Sequence, residues 1–169
     1  MELESLRSKL HGLLDSIDLL LSRDFHGPSL ILVYSTIDIL AWLDRSETHE
    51  DVTKSDFLSW VDRYLLPILN TIMSSVDMYS ARCSLLHSYS PESKLSREGE
   101  ARELFYSWGT GKSKDLQEII DTTDREAVAI HIERLVDALR SRTLRFLEDV
   151  AHSVLILKRA EKLFTNVPI

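Results

Sequence analysis

Arg82 and His87 are the two side chains in this sequence that could do chemistry together. They stand in the segment Tyr79–Ser93, YSARCSLLHSYSPES, with four residues between them. Histidine moves protons near neutral pH, and a permanently charged guanidinium fork holds developing phosphorane oxygens. One of each, facing a single phosphodiester, suffices for RNA cleavage without a metal ion. The spacing recurs, because Arg125/His131 and Arg145/His152 also fit an Arg-x(4–6)-His pattern, so context must choose among them.

Other chemistries find less support. The six histidines are scattered and Cys83 is the sole cysteine, which leaves no familiar zinc pattern and no internal disulfide. Cys83 falls on the expected inward side of its helix, where a lone thiol is an inert small hydrophobe. GTGKS at Gly109–Ser113 imitates a phosphate-binding loop, but Tyr106 stands where the full pattern demands glycine. No metal and no cofactor is expected.

The elements that would position Arg82 and His87 read as helices. Leu6, Leu10, Leu13, Leu14, Ile17, Leu20 and Leu21 recur at helical spacing over about 3–22. His26-Gly27-Pro28 ends that helix and opens a second, Ser29 to Leu43, apolar almost all round and therefore central. Asp38 is an acid within it, and a buried carboxylate requires a partner. Ser55 is the expected cap of a third helix, and Pro67 kinks or restarts the chain.

The motif helix spans roughly Ile68 to His87, in one piece or two, with Ile72, Val76, Tyr79, Cys83 and Leu86 facing inward. Residues 90–112 read as a loop with room for a short β-hairpin around residues 95–110, followed by a short helix from Asp115 to Ile120. The remaining C-terminal part reads as helix, with two apolar stripes out of phase and a break near Ser141–Thr143. The expected fold class is all-α, a helical bundle of about five to seven helices in a single domain over residues 1–169.

Five residues along a regular helix correspond to a rise of about 7.5 Å and a rotation of about 140°. Arg82 and His87 so placed do not share a face. Either the helix ends at His87, or the arginine reaches round, or two copies of the chain form a composite site.

With 44% hydrophobic and 28% charged residues, and only five Gly and four Pro, the composition is that of an ordinary globular helical protein. No apolar run is long enough to span a membrane. The lone cysteine and the lack of a charged-then-apolar leader suggest a reducing cytoplasm. The net charge of −7 opposes nonspecific nucleic-acid binding, so any such site must be local. Residues 140–162 carry six Lys/Arg against three acids and form the basic stretch, which reads first as a solvated helix face.

The element order together with RCSLLH over Arg82–His87 resembles the HEPN superfamily. The resemblance covers most of residues 1–160 and is specific around 79–108. It implies a compact helical bundle, commonly a homodimer, and a metal-independent endoribonuclease of the toxin or defence type. Arg82 would then bind the scissile phosphate, and His87 would act as general base or acid. Ser84, Ser88 and Tyr89 would supply further hydrogen bonds to RNA, and Asp38 would orient Arg82. A nucleotidyltransferase-type antitoxin accompanies some members. Cys83 stands where catalytic members usually carry a polar residue, which keeps open a non-catalytic module that binds RNA, a nucleotide or a protein. A helical interaction protein with no site is the third reading.

Overall fold

In a computed structural model that describes residues 2–48, 50–69 and 71–164, the leucine repeat of the N-terminal segment folds as its spacing requires. Helix α1 (Glu2–Leu21) buries Leu6, Leu10, Leu14 and Ile17, one stripe at 3.6 residues per turn. Helix α2 (His26–Asp44) follows and buries residues on nearly every side, from Leu30 through Val33, Ile37 and Leu40 to Leu43. Around it stand α3 (Lys54–Trp60), α5 (Ser75–Ser88), α8 (Ile132–Asp149) and α9 (Val154–Ala160), all in contact with it. The all-α bundle expected from the sequence is the fold that forms.

Local chemistry explains the boundaries. The cap of α3 is Thr53 rather than Ser55: Thr53 Oγ1 accepts from the Asp56 amide, and the Asp56 carboxylate accepts from the Thr53 amide. Helix α3 runs through a π-helical turn (Val61–Leu65) into α4 (Leu66–Leu69). Pro67 has no amide hydrogen, and in a regular α-helix its ring would meet the Arg63 carbonyl. The wider π-turn just before it accommodates the ring, so the chain stays helical through Pro67.

The insertion differs in its pairing. Strand β1 (Glu103–Ser107) lies within the expected 95–110 region, after the single-turn α6 (Lys94–Arg97), but it forms no hairpin. It pairs in parallel with β2 (Ala127–His131), Leu104 opposite Val128 and Tyr106 opposite Ile130, with α7 (Ser113–Ile120) as the crossover. The sequence AVAIH reads as the start of the last helix because a short apolar run has no distinguishing period, and pairing with β1 decides it. Gln117 of α7 completes the sheet edge: its Oε1 accepts from the Ala129 amide at 2.8 Å, and its Nε2 donates to the Ala127 carbonyl at 3.3 Å.

Helix α8 has no break at Ser141–Thr143. Ile132, Leu135, Val136, Leu139, Thr143, Phe146 and Leu147 form one buried stripe, and Thr143, a polar residue within it, makes the row look interrupted. The chain breaks instead at Val150–Ser153, where Ser153 caps α9.

Helix α5 is turned relative to the inward face read from the sequence. It buries Ser75, Asp77, Met78, Ser80, Ala81 and Ser84. Val76, Tyr79, Cys83 and Leu86 are only half-buried, and Ile72 is exposed and precedes the helix. The buried polar groups of α5 have partners. Asp77, 4% exposed, accepts from Arg102 Nη2 at 2.7 Å and from the Arg102 amide at 2.7 Å. Ser80 and Ser93 share a hydrogen bond of 2.6 Å. Satisfied polar contacts, beside buried Met78 and Ala81, fix the orientation of this helix.

Candidate functional site

Arg82 lies on the flank of α5 that faces α2, where its Nε donates to Asp38 Oδ2 at 2.8 Å. The two side chains remain 24% and 20% exposed, so the pair sits at the surface edge of the bundle. Nε is the inner nitrogen of the guanidinium. Nη1 lies 4.0 Å from Cys83 Sγ, and Nη2 has no partner among the described residues. The outer edge of the fork is thus available to an anion.

Burial raises the Asp38 carboxyl above its ordinary value, although the hydrogen bond and charge of Arg82 pull the other way. For Arg82, burial pulls the pKa down, and the hydrogen bond and charge of Asp38 more than offset it, so its pKa ends above the ordinary value.

His87 is exposed, one residue before the end of α5, and makes no hydrogen bond or ion pair with the described residues. The helix does not end there. It continues through Ser88 and is closed by Tyr89 in the left-handed region at φ 50°, with the Ser90 amide reaching back to the Ser84 carbonyl. Arg82 and His87 therefore stand on a regular helix, about 140° apart around its axis. Between them runs the half-buried strip Val76, Tyr79, Cys83 and Leu86, of which Tyr79 packs edge-on against Phe57 of α3 with Lys54 over its ring.

Of the three remaining candidates, Ser84 and Tyr89 come together elsewhere, and Ser88 does not join them. Ser84 Oγ donates to the Ala81 carbonyl, and Ser88 Oγ to the Ser84 carbonyl. Ser84 and Tyr89 line a cavity of about 310 Å3 on the other side of α5 from Arg82. The structure brings Asp38 to Arg82 and Ser84 to Tyr89, and leaves His87 between the two groups.

This cavity was not read from the sequence. His26 and Trp108 stack at its edge, ring centroids 4.6 Å apart and planes at 29°. Gly27 admits the Tyr89 hydroxyl so closely that a Cβ there would lie 1.7 Å from it. The sequence held only faint signals, a glycine beside Pro28 and a tryptophan beside Gly109.

No family model, curated protein or solved structure matches the chain. The site must therefore be judged on its own geometry.

That geometry separates the three Arg/His pairs. Arg125 is held by Glu103 at 2.8 Å, and His131 sits between the Gly109 carbonyl and Glu133. Arg145 is paired with Glu148 and Asp149. Arg82/His87 alone combines a guanidinium with an open outer edge and an imidazole without a partner among the described residues.

Half of the basic stretch, Arg140, Arg145 and Arg159, is engaged in structure. Arg159 donates to the Leu43, Arg45 and Ser46 carbonyls at the C-terminal end of α2, and Arg140 pairs with Asp18. At the GTGKS turn, Glu133 Oε1 accepts from the Gly109 amide at 2.8 Å, so a carboxylate already occupies a donor that a phosphate would need. Among the described residues no His/Cys/Asp/Glu cluster could hold a metal, and no helix is long and apolar enough to cross a membrane.

Proposed function

We propose that this chain is a HEPN-type, metal-independent endoribonuclease that works as a homodimer, with Arg82 and His87 as its catalytic residues. One observation carries the reading: Asp38 engages the inner nitrogen of Arg82 and leaves Nη2 without a partner among the described residues, while His87, also without one, projects from the far side of a half-buried strip. A second copy docked on Val76, Tyr79, Cys83 and Leu86 would bury that strip. About a twofold axis running along α5, it would bring one protomer's Arg82 toward its partner's His87. Dimerisation thus resolves the mismatch of about 140° within one chain.

In the proposed reaction His87 takes the proton from a ribose 2′-hydroxyl. The 2′-oxygen attacks phosphorus, the bond from phosphorus to the 5′-oxygen breaks, and the leaving oxygen takes up a proton from water. Arg82 neutralises the charge that gathers on the phosphoryl oxygens. The products are a 2′,3′-cyclic phosphate and a 5′-hydroxyl, the outcome that a toxin or defence nuclease, with or without a nucleotidyltransferase-type antitoxin, would produce.

RNA cleavage in EDTA by wild type, Arg82→Ala and His87→Ala tests this. Each variant should lose about 100-fold or more. Equal activity across all three proteins, or equal absence of it, removes the catalytic assignment. Leu86→Arg should convert a sedimenting dimer to a monomer and abolish cleavage while keeping the helical circular dichroism.

Cys83 favours a second reading. Its sulfur, rather than a polar group, stands next to Arg82 Nη1. A non-catalytic binding module would hold RNA, a nucleotide or a protein partner without turnover, and RNA binding without any cleavage product would select it.

A further inference from the structure

We infer that the cavity between the first turn of α2, the end of α5 and β1 is a nucleobase pocket. It would accept one unstacked base of single-stranded RNA beside the phosphate presented to His87. The inference rests on the ribonuclease reading for its ligand, but on separate residues for its chemistry.

The size and lining define the ligand. At about 310 Å3 the cavity lies at the small end of ligand sites. It has room for a ring system, but not for a helix or a duplex. No Lys, Arg, Asp or Glu lines it among the described residues, so it does not select a phosphate or another charged group. Leu30, Leu85, Leu104 and Phe105 supply apolar walls.

Two aromatic rings stay open to solvent at this site. Trp108 is 52% exposed although His26 stacks on it, and Tyr89 is 61% exposed. A flat π-face left accessible beside a cavity is what stacks on a base. Tyr89 is fixed in place: it closes α5 in the left-handed region, and its hydroxyl packs against Gly27. Ser84 Oγ spends its hydrogen on the Ala81 carbonyl, so its lone pairs remain to accept from a base N–H.

Position connects the pocket to the proposed chemistry. Ser84 and Tyr89, both in the wall, lie three residues before and two residues after His87 on the same helix end. A strand whose phosphate meets His87 therefore has its neighbouring base within reach of the cavity. Such a pocket selects single strands, because a paired and stacked base cannot enter.

The experiment uses the full chain carrying His87→Ala, which prevents turnover, and fluorescence anisotropy with two labelled RNAs. One is a short single strand, and the other is the same strand with abasic sites. The base-containing strand should bind about tenfold or more tighter, the range expected for loss of stacking. Adding Trp108→Ala should erase that preference, and Trp108→Phe should restore most of it. Because Trp108 is half-exposed, circular dichroism of the variants should match the parent. A preference that survives Trp108→Ala, or an absence of any preference in the parent, overturns the pocket whatever the cleavage assay shows. Conversely, a base preference lost with Trp108 upholds the pocket even if wild type proves unable to cleave RNA.

Discussion

Two aspartate–arginine pairs flank α5, and they behave in opposite ways. Asp77, at the start of the helix, accepts from the Ser74 amide, the Arg102 amide and two nitrogens of the Arg102 guanidinium. Burial by itself would raise its carboxyl, but these hydrogen bonds outweigh burial and hold it below the ordinary carboxylate value. Asp38 accepts a single hydrogen bond, from Arg82, and there burial wins and its carboxyl is raised. A saturated carboxylate contributes stability. An undersaturated one costs some. The contrast marks Arg102 as the arginine committed to structure and Arg82 as the less committed one.

Removing Arg102 should have the largest effect on stability. Arg102→Ala leaves the buried Asp77 short of two guanidinium bonds and should cost about 2–3 kcal/mol in urea unfolding. The pH dependence has a definite sign. Because the Asp77 pKa is lowered in the folded state, its contribution is fully present above the unfolded value of 3.8 and is lost as pH falls through the folded value. The gap between wild type and Arg102→Ala should therefore narrow below pH 3.8. A gap independent of pH would mean that Arg102 acts by packing alone.

Thr143 extends the comparison to a polar group with no partner among the described residues. Its hydroxyl is fully buried in the α8 stripe and unbonded among the described residues. Thr143→Val keeps the shape and removes the unsatisfied oxygen, so it should stabilise by about 1 kcal/mol, read as a raised Tm. Destabilisation would show that the hydroxyl has a partner in solution.

Asp38→Asn should move stability least, by less than about 0.5 kcal/mol at neutral pH, because its surface-edge pair returns little. The sign again follows from linkage. A raised folded-state pKa means the folded protein binds more protons than the unfolded chain just above 3.8, so the Asp38 contribution to stability weakens as pH rises through that window. The variant should lack this slope. RNA cleavage, in contrast, should fall about tenfold or more as the Arg82 fork loses its anchor. A variant that loses stability like Arg102→Ala while keeping its activity would erase the distinction between the two pairs.

Much of the bundle was legible because its elements carry their own periods. The leucines of α1 and the all-round apolarity of α2 leave one solution each. Legibility failed where a residue's role depends on a partner distant in sequence. AVAIH becomes a strand only beside Glu103–Ser107. Thr143 looks like a break until the stripe on either side of it is seen to be continuous. The face of α5 was misjudged because hydrophobicity points to Val76, Tyr79, Cys83 and Leu86, whereas Asp77 and Ser80 are drawn inward by Arg102 and Ser93.

The candidate site divides along the same line. The amino-acid sequence by itself fixed the helical class and the presence of one guanidinium and one imidazole near a helix end, since both follow from residue type and short-range spacing. Only the tertiary structure decided that Asp38 takes the inner edge of Arg82, that His87 stands free on a different flank, and that Ser84 and Tyr89 face a cavity roofed by Trp108. Those relations join residues dozens of positions apart. No local period encodes them, because they exist only once the core has packed.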